Sequence, residues 1–135
     1  MRFGVCGDVE RARAAKAAGY DYWEPSVPWL LRPRESEAAF RNVLEEARRV
    51  EIPAEACNCF VPGDLKITGT DVDFSALKAY VEVAMLRAPQ AGVRVIVFGS
   101  GGARTYPDGF DAKKAWILST RFSSRSFWKS FILSK

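Results

Sequence analysis

The chain has 135 residues, 48% hydrophobic and 27% charged, which allows one domain and argues against intrinsic disorder. Three cysteines, an odd count without scaffold spacing, exclude a disulfide framework and suit free thiols in a reducing compartment. The net charge of +4 does not mark a nucleic-acid surface: Ile117–Lys135 holds Arg121, Arg125, Lys129, Lys135 and no acid, which leaves 16 basic and 16 acidic residues in a neutral body.

The first residues, Met1-Arg2-Phe3-Gly4-Val5-Cys6-Gly7-Asp8, are too short an apolar stretch for a secretory leader. No apolar run approaches the roughly 20 residues of a membrane helix. A cytoplasmic protein with no membrane partner is expected. Arg2–Gly7 reads as a strand, and Asp8 stands where a helix N-cap belongs. Val9–Ala18 is rich in Ala, Arg and Lys and reads as a helix ended by Gly19. Tyr20–Glu24 reads as a second strand, followed by a proline-punctuated loop from Pro25 to Pro33.

Ser36 can cap a second helix, with Phe40, Val43, Leu44, Ala47 and Val50 on one apolar stripe. Pro53 stops it, and Ala54–Phe60 reads as a third strand. A loop from Phe60 to Asp71 follows. Asp73 caps a third helix that places Phe74, Leu77, Val81, Ala84 and Ala88 on one face. The run Val93–Phe98 is apolar enough for a strand buried on both faces, as in a parallel sheet. Gly99–Gly109 reads as a loop and Asp111 as the start of a helix, Ala112–Trp116.

The resulting order βαβαβαβα predicts an α/β fold with parallel strands and right-handed crossovers. A doubly wound open sheet and a TIM barrel both accept it. At Ile117 the composition changes: six of the last 19 residues are Ser, and Gly, Ala, Val, Asp and Glu disappear. The chain therefore divides into 1–116 and an irregular Ser/Arg/Phe-rich tail, 117–135. That tail reads as foreign to the rest, as an altered reading frame would produce; the alternative is an amphipathic C-terminal helix.

Ligands of such folds bind beyond the carboxyl ends of the strands. The candidates there are Glu24, able to orient a sugar hydroxyl or act as a base but more simply read as a solvated loop glutamate, and Asn58, able to bind a polyol or cap its own turn. Beside them stand Trp29, a stacking face or loop anchor, and Cys57 and Cys59, whose alternate spacing points them the same way. With no histidine and no second cysteine pair, the two thiols read as buried rather than as a zinc site. After the fourth strand, Gly99, Ser100, Gly101, Gly102 and Arg104 form a glycine-rich turn that could wrap backbone amides around an anion, with Arg104 adding charge. A βα turn with no ligand is the competing reading. The spacing fits neither a P-loop nor a dinucleotide fingerprint.

Four segments carry a resemblance: Phe3–Cys6, Gly19–Glu24, Asn58–Pro62 and, most specific, Val97–Arg104 with Pro107 and Gly109-Phe110. Together they resemble the sugar phosphate isomerase/epimerase family of the xylose-isomerase-like TIM barrel superfamily, which also holds AP endonucleases. The resemblance covers residues 1–116 and implies the parallel (βα)4 half of a TIM barrel. It implies a sugar or sugar-phosphate isomerase or epimerase that uses a divalent metal held by Glu, Asp and His on later strands. No metal ligand carries over to this chain, no cofactor is expected in it, and catalytic residues are not identified. Glu24, Asn58, Gly99, Ser100, Gly101, Gly102 and Arg104 match substrate-side positions. The chain is thus expected to be truncated, either isomerase-like or a non-catalytic fragment that binds a small anion or polyol. Open barrel edges predict a homodimer or other self-association. Nucleic-acid binding is not expected from a neutral body.

Overall fold

The computed structural model describes residues 1–123 and shows a mixed α/β chain with short parallel strand pairs and, among the described residues, six α-helices. It divides into two compact units: Met1–Val61 with Val83–Gly99, and Pro62–Glu82 with the residues from Ser100 onward.

The first unit holds the four strands found among the described residues. β1 (Gly4–Cys6) leads to α1 (Val9–Ala17) and β2 (Tyr22–Glu24). Asp8 caps α1 as its position suggested, its Oδ1 accepting from the Arg11 amide at 2.9 Å. β1 and β2 pair in parallel with Val5 opposite Trp23 and Cys6 opposite Glu24. β3 (Ala56–Cys57) pairs in parallel with β4 (Val95–Ile96). Two parallel bridges, Trp23 with Ala54 and Ser26 with Asn58, join the pairs. The strands therefore lie in the order β1-β2-β3-β4, the order of the chain.

Trp23, Val27, Leu30, Leu31, Phe40 and Cys57 are the fully buried centre of this unit. α3 (Glu37–Arg48) presents Phe40, Val43, Leu44 and Ala47 to it, the stripe that helical spacing predicted. Ser36 caps this helix through the Ala39 amide at 3.2 Å. After α3 the chain turns through Glu51, a non-glycine residue at φ 61°, and Ile52 returns to the core.

Two expectations need correction in this unit. The proline-punctuated loop contains a short helix, α2 (Val27–Leu30), capped by Ser26, whose Oγ accepts from the Trp29 amide at 3.4 Å. Its Pro28 lies in the first turn, where a missing N–H costs nothing. The strand read over Val93–Phe98 is two residues long, and Val95 and Val97 are 56% and 44% exposed rather than buried on both faces. Among the described residues β4 has only β3 beside it, so one edge and much of its surface stay open. Phe60 and Phe98, just past β3 and β4, meet edge-on with ring centroids 6.2 Å apart.

One buried charge organises the unit. Arg87, the last residue of α4 (Phe74–Arg87, shared between the units), is 5% exposed. Its guanidinium donates to the backbone carbonyls of Leu31 at 3.0 Å, Arg32, and Glu35 at 3.1 Å. It lies 4.9 Å from the Phe40 ring centroid and 3.4 Å from a Glu37 carboxylate oxygen. A planar five-donor fork suits the bend from α2 into α3, where carbonyls lose their helical partners.

In the second unit, Asp73 Oδ1 accepts from the Ser75 and Ala76 amides at 2.9 and 3.0 Å at the start of α4. Leu77 and Val81 are buried as expected, whereas Phe74 is 57% exposed. One helical turn, α5 (Gly101–Arg104), interrupts the expected loop. Asp111 caps α6 (Ala112–Ser123) through the Lys114 amide at 2.6 Å. α6 continues past Trp116, its predicted end, because nothing in Ile117–Phe122 breaks a helix, and Ala115 and Phe122, seven positions apart, share a buried face. The expected irregular tail is thus helical over 117–123; residues 124–135 of that expectation lie outside the described residues.

Candidate functional site

The parallel register brings the carboxyl ends of β1, β2 and β3 to one edge of the first unit. There Cys6 is opposite Glu24, and Ser26 is bridged to Asn58. Asn58 ties the three strands together. Its backbone amide donates to Pro25 at 3.0 Å, and its carbonyl accepts from the Val27 amide at 2.9 Å. Its side-chain Nδ2 donates to the Cys6 sulfur at 2.6 Å and to the Glu24 backbone carbonyl at 3.5 Å. The carboxamide nitrogen is therefore committed to the protein.

Glu24 behaves differently. It is half-buried, and its carboxylate makes no hydrogen bond or ion pair among the described residues. The Cys6 thiol is pushed up chiefly by desolvation and then by the Glu24 charge, while Arg11 and the Asn58 hydrogen bond pull it down. Cys57 is buried and its thiol is pushed up to about 12, first by burial and then by Glu24.

The two sequence-predicted thiols part company. Cys57 is buried in β3, but Cys59 is exposed and adopts φ 49°. The strand ends at Cys57, so strand alternation no longer governs Cys59. Trp29 packs on Trp23 at 5.4 Å between ring centroids, and Trp23 Nε1 donates to the Gly7 carbonyl at 2.8 Å. Half-buried Trp29 therefore anchors its helix with part of its ring surface.

The glycine-rich turn is built for close packing. Gly99 is the last residue of the first unit; Ser100, Gly101, Gly102 and Arg104 belong to the second. Ser100 stands at φ 37° before α5 and its side chain makes no capping bond. The carbonyls of α5 are held by protein groups. Lys66 Nζ donates to Gly102 at 2.7 Å, the Ile67 amide to Ala103 at 3.0 Å, Thr68 Oγ1 to Arg104 at 2.8 Å, and Thr105 Oγ1 to Gly101 at 3.0 Å. A Cβ on Gly102 would lie 3.0 Å from the Gly63 Cα. This accounts for a glycine at 102 by backbone approach alone.

No family model, curated protein or solved structure matches the chain. Sequence reasoning missed Lys66, which brings a second cation to the Arg104 turn, and the bond from Asn58 to Cys6. A lysine in a loop carries no local signal of its partner. The Asn58–Cys6 contact joins residues 52 positions apart.

The strand-end donor set does not suit a hard divalent cation. It offers one carboxylate, an amide turned toward a thiol, and two thiols. Among the described residues no three Cys, Asp or Glu side chains stand together as a metal would require.

Proposed function

We propose that this chain carries four successive βα units of a TIM-type barrel and that the carboxyl edge of β1–β3 is the substrate side of a sugar or sugar-phosphate pocket. The carrying observation is Glu24, a half-buried carboxylate with no hydrogen bond or ion pair among the described residues, at the carboxyl end of a parallel strand and beside Asn58. A carboxylate so placed accepts hydrogen bonds from a sugar's hydroxyls, and Asn58 Oδ1 accepts another. The strand order β1-β2-β3-β4 supports the barrel reading. The resemblance of Val97–Arg104 and the other segments to sugar phosphate isomerases and epimerases supports the ligand class. The role is one of binding. No catalytic step is assigned, and none is routed through a metal, since the donors present do not fit one.

Thermal unfolding of the chain with xylulose 5-phosphate, xylose or inorganic phosphate tests this reading. A ligand that binds only the native state raises the midpoint saturably. The expected result is a rise with the sugar phosphate that Glu24→Gln weakens about tenfold, the loss of one charge-assisted hydrogen bond. No rise with either sugar, or a rise that Glu24→Gln leaves intact, would refute it.

A further inference from the structure

We infer that the exposed face of α6 is a docking surface for an anionic lipid bilayer. At 100° per residue, Lys113, Trp116 and Ile117 fall on one side of this 12-residue helix and Ala115 and Phe122 on the other. The structure follows that division: Ala115 and Phe122 are buried, Lys113 and Lys114 are exposed, and Trp116 and Ile117 are 71% and 51% exposed. An exposed tryptophan beside an exposed isoleucine is a costly surface in water. An indole with adjacent lysines is at home at a membrane interface, where the ring enters the headgroup region and the ammonium groups meet lipid phosphates and carboxylates.

Charge complementarity selects the anionic bilayer. From Ala112 to the last residue the sequence contains no acidic side chain, while Lys113, Lys114 and Arg121 lie within the described part of α6. Asp111, the nearest acid in the sequence, lies before the first residue of the helix, where its Oδ1 accepts from the Lys114 amide. No helix among the described residues is long and apolar enough to cross a membrane. Adsorption along the surface makes no such demand, and the expectation of no membrane partner rested on the missing span. Locating the net charge in the tail also hid Lys113 and Lys114, which lie before residue 117 and share a helix with it.

Co-sedimentation of the full chain with vesicles tests the inference. One set is phosphatidylcholine alone; the other contains about 30% phosphatidylserine, near the charge of a cytoplasmic leaflet. The chain is expected to pellet with the anionic vesicles and to be released by raised salt. Two variants carry the discrimination, Trp116→Ala with Ile117→Ser, and Lys113→Gln with Lys114→Gln. Each is expected to weaken partitioning roughly tenfold or more. Circular dichroism checks that both stay folded, as substitution of exposed residues should allow. Absence of partitioning, equal partitioning on neutral vesicles, or partitioning that neither variant changes overturns the inference. Tight binding to a duplex oligonucleotide without vesicle binding overturns it too, and assigns the face to nucleic acid.

Discussion

Arg87 offers the sharpest test of what holds the first unit together. Replacing it with Met keeps much of the aliphatic length and removes the fork. The carbonyls of Leu31, Arg32 and Glu35 then lose a charged donor in a setting where water has little room. A hydrogen bond to a charged group contributes about 1.5–3 kcal/mol net, so three would sum to more than 4 kcal/mol. The α2–α3 bend can open and rehydrate part of that loss. An overall cost of about 3–5 kcal/mol follows, in line with breaking a buried ionic site. The ion pair to Glu37 is a small part of this, because that carboxylate is half exposed and shared with Arg41; such pairs contribute about 0–1 kcal/mol. Denaturant unfolding followed by circular dichroism should therefore show Arg87→Met destabilised several-fold more than Glu37→Gln, with Arg87→Lys in between. If Glu37→Gln costs as much as Arg87→Met, or if Arg87→Met costs under about 1 kcal/mol, the carbonyl-capping account is wrong.

Further outcomes follow from single sites. Cys57 keeps its proton in the folded state up to about 12 but releases it near its ordinary value of 9.0 once unfolded. Its contribution to stability is complete below about pH 9 and is lost as pH rises toward 12, up to about 4 kcal/mol for that span. Stability of the wild type should fall more steeply across this window than that of Cys57→Ala; parallel slopes would refute the assignment. With a thiol reagent in native buffer, Cys6 and Cys59 should label and Cys57 should not until denaturant is added. Glu51→Gly relieves a left-handed non-glycine residue after α3 and should stabilise by about 0.5–1 kcal/mol, read as a raised denaturation midpoint. Self-association is proposed to run through the open edge of β4. Light scattering at micromolar concentration should show a dimer or larger species that Val95→Lys shifts toward monomer. A monodisperse monomeric wild type would end that proposal.

Local chemistry made much of the chain readable. Asp8, Ser36, Asp73 and Asp111 each cap the helix that follows, because a short oxygen-bearing side chain before a helix has one obvious use. The α3 stripe was readable because its period is set within the helix itself. Failures came where the answer lies elsewhere in the sequence. Val93–Phe98 is apolar enough for a central strand, but exposure depends on how many strands flank it. Arg87 looks like a routine basic residue in a last helical turn, yet its partners lie more than 50 positions upstream. Ser26 and Pro28 carried the signal for α2, and reading proline only as punctuation concealed it.

The same distinction governs the candidate site. Glu24 was legible as a position at the carboxyl end of a strand, but its half-buried setting was not, because that depends on the neighbouring strands. Asn58 was legible as a position, but its committed carboxamide nitrogen was not, because Cys6 comes from another strand. Two architectures were compatible with alternating strands and helices, and strand order bears on the choice between them. In a doubly wound sheet the order reverses around the first strand, and the ligand crevice opens at that reversal. Here β1 pairs with β2 alone among the described residues, and β2, β3 and β4 follow in chain order. Among the described residues that order shows no reversal, which favours the proposed barrel reading. On that proposed reading, the polar groups at the carboxyl ends, Glu24 and Asn58 above all, are where a ligand would be held. A binding assay that responds to Glu24→Gln while thermal stability does not would separate that role from a merely structural one.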